Sequence, residues 1–326
     1  MRLSFRRSFV GARHQSSVEA SPLRFVLTRI IGNDLPPRHA PGQNLRNLRF
    51  ILDNEPELSG CSKRWILNRI ADPAVELDAH HQRYVRIGFC LDAFGCLGRE
   101  TRLFDDGASA AADIAGNPKQ DMRKRALLRA ERLRINYAIP INAARNLALL
   151  EAHNEADWIL PFDGNCFLTE EAWARIRAFV GRKGEIRYVA VAMVRVSRYE
   201  TVFSRGGHTK AEGEPQVMFH RDAALAFDES YPYGRRDKVE LLWRLGVKGD
   251  WDRWHDDPWD LPRPNAIAAR QQVGTTGWVM RLPSGRSELE QGRTASRERT
   301  NARQESILRF LGILDERVRH EAIHSR

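Results

Sequence analysis

No stretch of this 326-residue chain stays apolar for the ~18–20 residues that a membrane-crossing helix requires. Cysteine is scarce: Cys61, Cys90, Cys96 and Cys166 show no CxxC spacing, which argues against a zinc cluster or a disulfide framework. Reduced cysteines of a cytosolic protein are the expectation, with Cys90 and Cys96 near enough in sequence to pair if oxidised. Lysine is scarce too, at seven residues, so the net charge of +10 is carried mostly by arginine. Acidic residues are missing from the start, where Arg2, Arg6, Arg7 and Arg13 precede the first acid, Glu19. That composition is shared with transit peptides, but no apolar signal core accompanies it, and residues 1–22 read as a disordered basic start. No internal repeat is found.

The arginines are spread along the chain instead of being concentrated among aromatic residues. Nucleic acid is therefore disfavoured as a partner, whereas an acidic substrate, a nucleotide or an anionic membrane surface suits the charge. Arginine-rich codon usage alone would give the same excess. A hydrophobic content of 42% is enough for one large α/β domain with an appendage.

Strand-like runs alternate with helical periodicity. Leu23 to Ile31, Arg64 to Ile70 and Arg83 to Phe89 read as strands, separated by helical patterns at Leu45–Leu52 and Val75–His81. This β-α-β-α-β alternation predicts a mostly parallel sheet flanked by helices. Residues 92–120 read as an insertion loop and Met122 to Arg134 as a basic helix. A helix follows, with Asn142 as its candidate cap, and then the strand Trp158 to Asp163. Further elements are a helix at Glu170–Val180, strands at Tyr188–Val194 and Gln216–His220, and a helix from Lys238 to Leu245 ending at Gly246. Residues 23–282 form the expected α/β domain. Residues 283–326 read as a charged linker and a terminal amphipathic helix carrying Leu308, Leu311, Leu314 and Val318.

Three strand ends are polar: Gly32-Asn33-Asp34, Asn68-Arg69 with Asp72, and Asp163-Gly164-Asn165. In open α/β sheets ligands gather beyond the carboxyl ends of the strands. Asp163 and Asn165 offer hard oxygens of the kind that suits Mg²⁺ or Mn²⁺, although Asp-Gly and Gly-Asn are also ordinary turn pairs.

The order of Asn142-Ala-Ala-Arg145-Asn146 opening a helix, an apolar strand ending in Asp163-Gly-Asn165, and Arg236-Asp237-Lys-Val-Glu240-Leu-Leu-Trp-Arg244-Leu-Gly246 resembles the GT-A fold of the inverting family 2 nucleotide-sugar glycosyltransferases. Two motifs depart from that family's pattern, with an amide at the end of the metal motif and Arg-Asp in place of an acidic pair. The resemblance implies glycosyl transfer from a nucleotide sugar to a glycan or lipid-linked acceptor, as in polysaccharide biosynthesis, in the cytoplasm or at the inner face of a membrane. It assigns Asp163, Asn165 and His255 to the metal, and Asp237 or Glu240 to the catalytic base. Asn33, Asp34, Asp72, Arg145, Asn146, Arg235 and Arg236 are then candidates for the nucleotide sugar, and Trp251 and Trp254 for the acceptor. Each has an ordinary alternative. Asp237 suits a helix N-terminus, Glu240 pairs with Arg244 one turn on, and the tryptophans suit a core. Gly274-Thr-Thr-Gly277-Trp278 reads as a lid loop with glycine hinges. Other readings are a sugar-phosphate phosphotransferase or metal-dependent hydrolase on the same acid-tipped sheet, and a GT-A domain that binds without turnover.

Overall fold

The structure, a computed structural model, describes residues 22–70, 76–78, 80–98, 119–182, 184–203, 213–249, 251, 261–266, 272–285 and 293–324. Its centre is strand β1 (Phe25–Ile31), all seven residues of which are buried. Burial on both sides of the pleat marks a strand covered on both faces, Thr28 and Arg29 being the polar residues within it. Strands β2 (Cys61–Asn68) and β4 (Trp158–Asp163) flank β1 in parallel, and β3 (Tyr84–Ile87) extends the sheet beyond β2. On the other side follow β7 (Gly213–His220), β6 (Tyr188–Arg195), β8 (Val273–Arg281) and the two-residue β5 (Cys166–Phe167), giving the order β3-β2-β1-β4-β7-β6-β8-β5.

The expected mostly parallel sheet is corrected to a mixed one. Of its seven neighbouring pairs, β4–β7, β7–β6 and β8–β5 are antiparallel. Two of these pairs belong to β7, which runs antiparallel to both β6 and β4 between them, and the third to β5, which turns back just after Asp163.

Side-chain alternation along β1 sorts the layers. Phe25, Leu27 and Ile31 face α1 (Gln43–Asn54) and a helix α6 (Glu170–Val180), through Leu48, Ile51, Trp173 and Ile176. Val26 and Ile30 face α5 (Ile141–Ala152), whose Ala144, Ala148 and Ala152 let it lie close against the sheet. The short helix α7 (Val239–Arg244) packs on the same side through Leu241 and Leu242. Thr169 caps α6 by accepting a bond from the Ala172 amide.

The remaining helices make their own cluster. Helices α2 (Leu91–Gly95), α3 (Lys119–Ala130) and α4 (Arg132–Ala138) sit beside the long α8 (Arg293–His324), with Phe94, Ile135, Ile307, Leu311 and Leu314 buried between them. The terminal helix thus starts at Arg293, inside the stretch read as linker.

Other differences are local. Strand β2 stops at Asn68 because Arg69 adopts a left-handed φ of 59°. Asn142 is not a cap: α5 begins at Ile141 after Pro140, and the Asn142 amide is turned to the carbonyl of Asp228. The expected lid Gly274–Trp278 lies inside β8, where a bulge at Gly277 (φ 60°) shifts the register against β6.

Candidate functional site

Strand order reverses between β1 and β4: the chain moves outward from β1 to β2 and β3, then crosses back to the other side of β1. A crevice opens at such a switch. Here it is a cleft of about 150 Å³ lined by all three polar strand ends: Gly32 and Asn33 after β1, Asn68 at the end of β2, and Asp163, Gly164 and Asn165 at the end of β4. Register places Asp163 beside Ile30. A Cβ on Gly164 would stand 2.6 Å from the Ile30 carbonyl oxygen, so the central residue of Asp-Gly-Asn must be glycine for the strand end to close against β1.

Asp163 is the hub. Its Oδ1 accepts from Arg145 Nη2 at 2.9 Å, and its Oδ2 accepts from Gln216 Nε2 at 2.9 Å and Lys238 Nζ at 3.2 Å. Burial alone would raise this carboxyl, but the charges of Lys238 and Arg145 and the bonds from Arg145 and Gln216 hold it well below 3.8. Arg145 also donates to Asp237 Oδ2 at 2.9 Å and to Asn142 Oδ1 at 2.8 Å, its guanidinium lying over Phe227. Burial disfavours the Arg145 charge, yet Asp163 and Asp237 together raise its pKa. One buried arginine therefore joins two carboxylates from different elements. Asp237 is fixed in turn by the Gly234 amide, which donates to its Oδ1 at 3.2 Å from a left-handed turn (φ 80°).

The cleft is predominantly cationic. Arg38, Arg145, Lys238, Arg281 and Arg303 line it against Asp163, Asp237 and Glu214. Sequence reasoning singled out only Arg145, Asp163 and Asp237 of these charged groups. Lys238 stood next to Asp237, but nothing local indicated that it reaches a carboxylate 75 residues away. Gln216 and Glu214 enter because β7 is antiparallel and presents its amino end here. Behind the cleft, the fully buried Arg29 bonds the Cys166 carbonyl at 2.8 Å and pairs with Glu55, which also accepts from the Leu168 amide and meets Lys63 at 2.9 Å. This network ties the segment after Asp163 to β1 and the end of α1.

The other expected residues are distributed as follows. Asn33 lines the cleft and donates to the Arg69 carbonyl at 3.1 Å. Asn165 lines it and exchanges bonds with Leu282, its amide donating to the Leu282 carbonyl at 3.2 Å. Asp34 is not among the lining residues and instead accepts from the Asn44 amide in the first turn of α1. Asn146 holds the loop before Asp237 by bonds to both backbone groups of Phe227. Glu240 is wholly buried away from the cleft, bonded to Arg244 and to the Asp228 amide, and burial pushes its pKa up to about 7 against the pull of both partners. Arg235 and Arg236 line a second, smaller pocket with Arg125, Arg129 and Arg132. Trp251 packs against the Tyr188–Phe219–Leu241 cluster. Asp72, Trp254 and His255 lie outside the described residues.

The Mg²⁺ or Mn²⁺ expected on Asp163, Asn165 and His255 can be tested against the donors present. Both Asp163 oxygens are engaged by protein donors, two of them cationic. Asn165 donates its Nδ2 to Leu282, a bond that orients the side chain without engaging the Oδ1 a metal would use. Among the described residues no three His, Cys, Asp or Glu side chains cluster as a metal site. This donor set does not fit a divalent ion held by Asp163 and Asn165. In comparisons with known proteins, no family model matches the chain and no curated protein matches it in sequence.

Proposed function

We propose that the cleft binds a nucleotide sugar and transfers its glycosyl group to a hydroxyl acceptor, with inversion at the anomeric carbon. The observation that carries this reading is the pair of carboxylates, Asp163 and Asp237, joined by Arg145 inside a cationic cleft at the switch point of the sheet. Support for a GT-A-like fold comes from the same place, since Asp163–Asn165, Arg145 and the turn leading to α7 meet at this cleft.

In this mechanism the anionic diphosphate lies over the strand ends among the arginines and Lys238. The acceptor oxygen attacks the anomeric carbon while its proton passes to Asp237. The bond from that carbon to the diphosphate oxygen breaks, and the electron pair leaves with the diphosphate. Asp237 is better placed for this role than Glu240, which has no exposure to the cleft. Fixed positive charge around the departing group lowers the barrier because no solvent has to reorganise as charge develops. A phosphotransferase with Asp163 as nucleophile has less support, because three donors, two of them cationic, hold its oxygens, whereas Asp237 meets one cation. The acceptor, glycan or lipid-linked, and a cytoplasmic or membrane-peripheral setting belong to the same proposal. No helix among the described residues is long and apolar enough to cross a membrane.

A panel of UDP- and GDP-sugars, assayed for hydrolysis and transfer, tests it. One nucleotide class should turn over, and Asp237→Asn should lower the rate by about 10²–10⁴ in protein that still folds, its melting temperature lowered by loss of the Arg145 pair. Full activity of that variant would remove Asp237 from the chemistry. Nucleotide binding without hydrolysis of any donor would favour a binding domain.

A further inference from the structure

We infer that the cleft neutralises its diphosphate with the Lys238 ammonium and neighbouring arginines, in the place where a divalent cation was expected; this rests on the glycosyl-transfer reading above. A carboxylate offers about four lone-pair sites, and Asp163 already fills three with Arg145, Gln216 and Lys238. Two of those donors carry full positive charge, so a divalent ion beside Asp163 would meet repulsion from both. Asp237 is no better a ligand, with one oxygen on Arg145 and the other on the Gly234 amide.

Lys238 has the opposite profile. Its side chain is 3% exposed, lines the cleft, and places Nζ 3.2 Å from Asp163 Oδ2. An ammonium has three N–H groups, and Asp163 engages one. Lysine binds phosphate as a compact point charge, and exclusion from water strengthens that attraction. Arg145 differs, because its charge is divided between Asp163 and Asp237. It acts as a positioning residue that holds the base and the hub at a fixed spacing. Lys238 is thus the group whose charge faces the leaving diphosphate.

Calorimetric titration of the full chain with UDP and with GDP, in EDTA and then in Mn²⁺, tests the inference. One of the two should bind equally well in EDTA. Lys238→Gln keeps a donor for Asp163 and loses the charge; it should bind about 10- to 100-fold more weakly, the factor one charge-assisted hydrogen bond represents. Lys238→Arg should restore most of the loss. Binding that appears only with Mn²⁺ would overturn the inference and leave glycosyl transfer standing. Unchanged affinity in a folded Lys238→Gln protein would overturn the role of Lys238. Absence of binding in both conditions would overturn the inference together with the nucleotide-sugar reading.

Discussion

Removing the Asp163 carboxylate would leave the buried Lys238 without its paired carboxylate and Arg145 with Asp237 alone. Asp163→Ala should therefore cost stability as well as activity, by about 3–5 kcal/mol in urea unfolding, because a broken buried pair leaves uncompensated charge. A loss below about 1 kcal/mol would mean that the pair behaves as an exposed one. Gly164→Ala should be destabilising for a different reason, overpacking against the Ile30 carbonyl, at about 1–3 kcal/mol in the same assay. These residues show what the sequence could reveal. Asp163 was legible because an apolar strand ending in an acid announces itself locally. Lys238 and Gln216 were not, because their relation to Asp163 exists only after 75 and 53 residues of intervening chain have folded.

Periodicity located most of the strands and α1, α5, α6 and α7, since each buries one face at its own repeat. Direction was not legible. An apolar strand such as β7 has the same pattern whether it runs with or against its neighbours, so the mixed sheet could not be read from it. The same limit hid the glycines of β8, which signal a hinge in sequence and a bulge in a sheet. Motif order was more informative than motif detail. The sequence marks Asn142 as a helix cap and Arg145 and Asn146 as ligand-binding, yet both asparagines clamp the 227–229 loop and, of the three, only Arg145 lines the cleft. Helix α8 carries a prediction at this scale. Leu311→Ala should cost about 2–5 kcal/mol if its burial against α2 and α4 is intact. Hydrogen exchange should then quicken in α2 and α4 while β1 stays protected. Equal acceleration in β1 would show that the helical cluster and the sheet unfold as one.

Two carboxyls, the part-buried Asp163 and the buried Glu240, give the whole molecule opposing pH responses. The Asp163 carboxyl is held well below 3.8, so its contribution is present above that pH and is lost as pH falls toward its folded value. Glu240 is raised from 4.5 to about 7 by burial, so its contribution is complete below 4.5 and is lost as pH rises through about 7. Melting temperature should decline over that window, and Glu240→Gln should flatten the decline without touching the acid side. An unaltered profile in Glu240→Gln would assign the slope to other groups.

The position of α8 bears on when the site comes into being. Arg303 of this helix lines the cleft, and Ser306 Oγ accepts from the amide of Arg38, another lining residue. The sheet and its Asp163 hub draw on residues up to 281, whereas this wall is supplied by residues 293–324. Since chains fold from their amino end as they are made, the ribosome can deliver an assembled sheet well before it delivers a closed cleft. Newly made protein then closes this cleft last, after the core that must support it.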